Sequence, residues 1–152
     1  AIRYAYIGLS IGDLLSGLLS QVLRSRKRVL YGYLTANLVL TLIFLFGMEG
    51  ATIATYNWMC LALGTATGYW VIFVTVASEQ FGTNIRSTVA TTVPNMVRGM
   101  VLPVTMTFQA FSAPLGNVYS ALAVGLLCIG AALWATTRVH ETFHTDMDFI
   151  ER

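Results

Sequence analysis

Charge is scarce in this sequence. Only 11% of its 152 residues are Asp, Glu, Lys or Arg, against roughly 25% in soluble domains. The charges are clustered and leave long uncharged runs, which excludes an ordinary soluble surface. A net charge of +2 gives no field for nucleic acid. The basic group Arg24, Arg26, Lys27 and Arg28 reads as a loop held on the cytoplasmic side of a membrane. Cysteine is limited to Cys60 and Cys128, both inside hydrophobic segments with no partner at metal spacing, so both read as packing residues. No signal peptide is expected in this stretch, which shows no basic n-region and no small-residue cleavage site. The chain opens at Ala1 and is hydrophobic by Ile2, so the expectation is a longer protein with an upstream part.

What is present is apolar: 56% of the residues are hydrophobic. The runs predict an all-α polytopic transmembrane helix bundle. Five helices are expected at about 2–23, 29–47, 56–78, 87–111 and 117–138, with a cytoplasmic amphipathic tail over 139–152. The loops at 24–28 and 79–86 and the start of the tail carry Arg or Lys, whereas those at 48–55 and 112–117 carry none. The positive-inside rule puts the first set and the C-terminus in the cytoplasm, with the inner (plasma) membrane as the expected location.

The most informative stretch runs from Asn84 to Gln109. Asn84, Thr88, Thr91, Asn95, Arg98, Thr105 and Gln109 recur every third or fourth residue, broken only by Leu102. On one helix of about 25 residues, roughly 37 Å at ~1.5 Å per residue, these form a polar stripe across a bilayer. A stripe of Thr and Asn alone reads as helix–helix glue. With Arg98 inside it, the reading favoured here is the wall of a cavity. Pro94, Gly99 and Pro103 predict a bend in this helix.

The first helix carries a second stripe: Tyr6, Ser10, Asp13, Gly17 and Ser20. Asp13 lies about ten residues, or roughly 15 Å, from the basic loop. An unpaired charge at that depth costs several kcal/mol, so Asp13 and Arg98 are expected either to pair or to face one aqueous cavity. The second and fifth helices have few polar atoms and read as peripheral. The third has Gly64 and Gly68 one turn apart, which lets another backbone approach. The step Gly68-Tyr69-Trp70 alternatively lines a binding site.

The tail contains His140-Glu141-Thr142-Phe143-His144, which fits His-Glu-x-x-His. On a helix this spacing puts two imidazoles on one face, able to hold zinc with the Glu as base. A third ligand is needed. Asp148 is about 12 Å along the axis from His140, too far to share an ion bound at ~2 Å, and Glu79 is the one remote candidate. A membrane zinc metalloprotease is therefore the enzyme alternative. The reading favoured is no enzyme, no metal and no cofactor.

Three stretches resemble the C-terminal half of a major facilitator superfamily (MFS) transporter. Gly17-Leu-Leu-Ser-Gln-Val-Leu-Arg-Ser-Arg-Lys27 resembles the family's Gly-x-x-x-Asp-Arg-x-Gly-Arg-Arg loop, with Gln21 for Asp, Arg24 for Gly and Ser25 for the first Arg. Gly68-Tyr-Trp, Glu79-Gln-Phe-Gly-Thr-Asn-Ile-Arg86 and Asn95-x-x-Arg98 resemble the tenth helix, its loop and the eleventh, with Gly82 for Pro in Glu-x-Phe-Pro-Thr-x-x-Arg. Glu141-Thr142-Phe143, with Asp146, Asp148 and Glu151, resembles the Glu-Thr segment after the last helix.

The resemblance covers the whole chain, as helices eight to twelve. It implies secondary active transport of a small solute by alternating access, with the N-terminal half of the same protein as a partner beside the lipid bilayer. It places the first and fourth helices on a central cavity, with substrate near the midplane. Candidate pathway residues are Asp13, Ser10, Tyr69, Trp70, Thr91, Asn95 and Arg98. Asp13 would be a proton-responsive or cation-facing group, which makes H+ the expected coupling ion. Arg98 would be its partner or an anion contact. Gly17, Gln21, Arg26, Lys27, Glu79 and Arg86 are expected to govern gating in the cytoplasmic loops. A non-transporting membrane scaffold is the remaining alternative.

Overall fold

A computed structural model describes residues 1–143. They form α1 (Ile2–Leu23), α2 (Arg26–Gly47), α3 (Ile53–Thr67), α4 (Trp70–Glu79), α5 (Arg86–Gly99) and α6 (Val101–Arg138), with no strand among the described residues. Four stretches are long and apolar enough to cross a bilayer: Ile2–Leu23, Arg26–Gly47, Ile53–Glu79 and Arg86–Arg138. The last is 53 residues long, or about 80 Å at ~1.5 Å per residue, more than one crossing needs. Residues 144–152 and their expected amphipathic segment lie outside the described residues.

The packing is that of a protein in lipid. Leu14, Val22, Trp58 and Leu127 face outward, while Ser16, Ser20 and Ser120 are buried. In water those apolar faces would be aggregation surfaces. In hydrocarbon they cost nothing, and small residues inside let helices approach. These three hydroxyls are turned back on their own helices: Ser16 donates to the Asp13 carbonyl at 2.9 Å, Ser20 to Gly17 at 2.8 Å and Ser120 to Gly116 at 2.7 Å. The apolar core is a small cluster of Val29, Leu30, Ile72 and Val76, with Tyr33, Tyr69 and Val139 against it.

α1 and α3 cross at backbone contact. A Cβ on Gly8 would meet the Leu61 carbonyl oxygen, one on Gly12 the Thr65 oxygen, and one on Gly64 the Ala5 oxygen. Gly68 lies against the backbone of Gly12 and Asp13. The expected approach at Gly64 and Gly68 is present, and its other half is the pair Gly8 and Gly12, which the sequence reading passed over. Gly17 has nothing within 4 Å of the position a Cβ would take.

Two expected helices are broken. The third divides at Gly68 and Tyr69, where Gly68 donates to Thr65 and Tyr69 to Thr67. The fourth divides at Met100. Pro103 has no N–H to donate to Gly99, so the ladder loses a bond there, and the Met100 N–H is shared between Met96 at 3.2 Å and Val97 at 3.1 Å. The turn expected over 112–117 is narrower. Helix continues to Gly116, whose φ of 76° and ψ of 165° interrupt α6 in a conformation essentially confined to glycine.

Caps set the other boundaries. α2 begins three residues before its expected start because the Ser25 side chain accepts from the Arg28 N–H at 3.3 Å, and α3 likewise because Thr52 accepts from Thr55 at 3.3 Å. Arg24, which joins α1 to α2, adopts the left-handed conformation with φ 46°. This is the position where the resembled loop has Gly, the residue that takes this conformation without a Cβ clash.

The crossing makes a prediction. Gly12→Ala and Gly64→Ala should each destabilise the protein by about 1–3 kcal/mol, because helix backbones must separate. Gly17→Ala should be neutral or stabilising by up to about 1 kcal/mol. Thermal unfolding in detergent reads the difference, and equal loss at all three positions would rule out the close crossing as the cause.

Candidate functional site

At one end of the bundle, charges from three distant stretches meet. Arg26, the first residue of α2, donates from Nε and Nη2 to the two carboxylate oxygens of Glu79, each at 2.7 Å. Glu79 ends α4 and is only 3% exposed. Its Oε2 also accepts from the Thr142 hydroxyl at 2.6 Å. The fork geometry matches two carboxylate oxygens at once, which a lysine cannot do. Arg26 reaches Ser20 at 3.4 Å, and its guanidinium sits over the Phe143 ring, 5.7 Å from the centroid.

A second set of bonds ties the α2 N-terminus to the segment after α6. Glu141 accepts from the Ser25 hydroxyl, from the Arg26 N–H at 3.0 Å and from the Lys27 N–H at 3.4 Å. A carboxylate here satisfies donors that lack helical partners and complements the positive end of the helix dipole. Lys27 does the converse, its Nζ donating to the Thr137 and Val139 carbonyls at 3.0 Å each. Burial pushes the Glu141 carboxyl upward. The bonds from Ser25, Arg26, Phe143 and Lys27 outweigh it and hold the group below the ordinary glutamate value.

Beside this end lies a cavity of about 670 Å³ between α1, α2, α4 and the second limb of α6. Its lining is mostly apolar, including Leu9, Leu34, Phe73 and Ala135, and Asp13, Tyr69 and Trp70 face it. The Asp13 Oδ1 is buried and has no hydrogen-bond partner. Two features place it there. Gly12, the preceding residue, is pressed against Gly68, and its carbonyl accepts from the Tyr33 hydroxyl at 3.0 Å. Tyr33 in turn meets Tyr69 edge to face at 6.3 Å. The break after α3 thus brings Tyr69 and Trp70 to the cavity that Asp13 lines.

The remaining expected pathway residues are placed differently. Arg98 does not pair with Asp13. It donates to the Asn95 Oδ1 at 3.2 Å, and its guanidinium lies over Trp70 at 6.0 Å from the ring centroid. Thr91 donates to its own helix, to Thr88 at 2.9 Å, and Ser10 donates to Tyr6 at 3.1 Å. Ser10, Thr91 and Asn95 are exposed and do not line the cavity. α5 has no buried residue and gives the cavity only Val97. No residue of its polar stripe lines this cavity, although Arg98 lies over Trp70 in the wall, and the break at Met100 moves Thr105 and Gln109 onto another helix.

Of the loop residues, Arg26, Lys27 and Glu79 form the cluster. Arg86 donates to the Phe81 carbonyl at 3.2 Å, within its own loop. Gln21 is exposed, and Gly17 stands clear of other backbones. Ser25, Glu141 and Thr142 carry more of the cluster than their place in the sequence suggested. The segment from His140 to Phe143 is not helical, so its His and Glu do not share a helix face. Among the described residues no three His, Cys, Asp or Glu side chains group to hold a metal, and His144 lies outside them. No known family model, curated protein or solved structure matches this chain.

Removing one partner of a buried ion pair leaves the other charge unbalanced, so Glu79→Gln should destabilise by about 3–5 kcal/mol. Gln21→Ala, on the exposed side, should stay within about 0.5 kcal/mol of wild type. Similar melting of the two variants would mean that the cluster does not hold the bundle end together. A pH prediction follows from Glu141. Because its folded-state value is lowered, its stabilisation is full above the unfolded value and is lost as pH falls through the folded one. Glu141→Gln should flatten that acid limb of the stability–pH curve, and an unchanged limb would assign it to another group.

Proposed function

We propose that this chain is the C-terminal part of a secondary active transporter of the MFS type, moving a small solute across a membrane by alternating access. One observation carries the reading. The three stretches that resemble the family lie far apart in sequence, yet Arg26, Glu79, Glu141 and Thr142 from them converge in one cluster. A cluster that ties the ends of α2, α4 and α6 is suited to hold one side of a cavity closed in one state. Its rupture would let those ends separate in the other.

The cavity beside it supports a solute path. Asp13 is the proton-responsive or cation-facing group of this path, with H+ as the coupling ion. Arg98, on Trp70, borders this path. In this reading the clustered basic loops face the cytoplasm, the protein resides in the plasma membrane, and the N-terminal half supplies the opposite wall. The zinc alternative finds no support in the geometry of Glu141, whose carboxylate caps α2.

The test is gradient-driven uptake by the full-length protein in proteoliposomes, screened over a panel of solutes. For a solute that accumulates, Asp13→Asn should cut proton-driven accumulation by at least about tenfold, the loss of one membrane-buried ionisable group. No accumulation of any solute would leave the membrane scaffold as the better reading, and accumulation unaffected by Asp13→Asn would remove Asp13 from the coupling.

A further inference from the structure

The cavity has one carboxylate in its lining, and one of its oxygens is buried without a partner. Of the residues around it only Asp13 is acidic or basic. Its Oδ1 is buried without a hydrogen bond. A carboxylate in such surroundings calls for a cation or a proton.

The rest of the wall decides which cation suits it. An inorganic ion is bound by several oxygens at short range. Here the hydroxyls of Thr67 and Thr136 are turned back on their own helices, Thr67 donating to Gly64 at 2.8 Å and Thr136 to Ala132 at 2.7 Å. Most other lining groups are hydrocarbon or aromatic. A volume of about 670 Å³ is within the range of sites for organic ligands. Tyr69, Trp70 and Phe73 contribute rings, with Trp70 and Phe73 5.6 Å apart. Trp70 already carries a cation, the Arg98 guanidinium, and aromatic faces attract such groups most strongly where water is excluded.

We infer that this cavity binds a monovalent organic cation with an apolar body, its charge on Asp13 and its hydrocarbon against Trp70, Phe73, Leu9 and Leu34. This names a substrate class for the transport reading and rests on it for movement across the membrane. Binding at the cavity is a separate property and is measured without a gradient.

The experiment uses the purified full-length protein in nanodiscs and two probes of one shape and opposite charge, tetraphenylphosphonium and tetraphenylborate. Equilibrium dialysis, corrected for empty nanodiscs, reads saturable binding. Tetraphenylphosphonium should bind saturably and tetraphenylborate should not. Asp13→Asn should weaken the cation by at least about tenfold, which corresponds to losing one close charge contact. Asp13→Glu should retain it. Trp70→Leu should weaken it by about threefold or more.

Equal binding of both probes, equal binding by Asp13→Asn, or no saturable binding of the cation overturns the inference. Should Asp13→Asn fail to fold, the preference of the wild type between the two probes and its persistence in Asp13→Glu decide the matter. Solute accumulation without cation binding would remove this site and leave the transport reading in place. Cation binding without accumulation of any solute would do the reverse.

Discussion

A carboxylate that is 3% exposed at the end of a membrane helix is tolerable only if its charge is met. For Glu79 it is met by the two parallel bonds of Arg26 and the hydroxyl of Thr142. Much at that end of the bundle depends on this contact. Arg26 can supply it because α2 starts there, and α2 starts there because Ser25 caps it. Thr142 can supply its share because Glu141 is anchored on the same helix start. Arg26 and Glu79 answer each other, and Glu141 and Lys27 are met by helix termini. α2 takes a carboxylate at its N-terminus and sends Lys27 to the last carbonyls of α6, as the helix dipoles favour.

The second constraint is the glycine crossing of α1 and α3. Without side chains between them, the two backbones fix the depth and rotation of Asp13. The same contact lies beside the helix break, since Gly68 belongs to both. Packing and site geometry are therefore one problem here. The close approach that holds α1 on α3 also turns Tyr69 and Trp70 toward the cavity that Asp13 lines. Any change that widened the crossing would alter the wall of the site, even though Gly8 and Gly64 do not line it.

The helical class, the apolar stretches and Arg26, Lys27 and Glu79 of the ionic cluster were legible in the sequence, because hydrophobic run length and isolated charges are strong local signals, whereas Ser25 and Thr142 carry no charge to mark them. Gly64 and Gly68 were legible as a close approach. Gly8 and Gly12 were not, because their role exists only opposite those partners. The break at Gly68 was hidden for the same reason, as glycine is common inside membrane helices that continue. Pro103 and Gly99 announced a bend without showing that the ladder would end at Met100. The polar stripe of α5 shows the limit most plainly. Periodicity says that Thr91, Asn95 and Arg98 share a face. It does not say which neighbour that face meets, and here Arg98 meets Trp70 while none of the three meets Asp13.

That outcome changes how Arg98 is understood. As a partner for Asp13 it would have neutralised the cavity and left little reason for a ligand to enter. Placed on Trp70 and bonded to Asn95, it leaves Asp13 unanswered while occupying one aromatic surface of the same wall. The protein's own cation and the Asp13 carboxylate thus do not close on each other. A carboxylate kept so without a local partner fits a group whose partner arrives from outside.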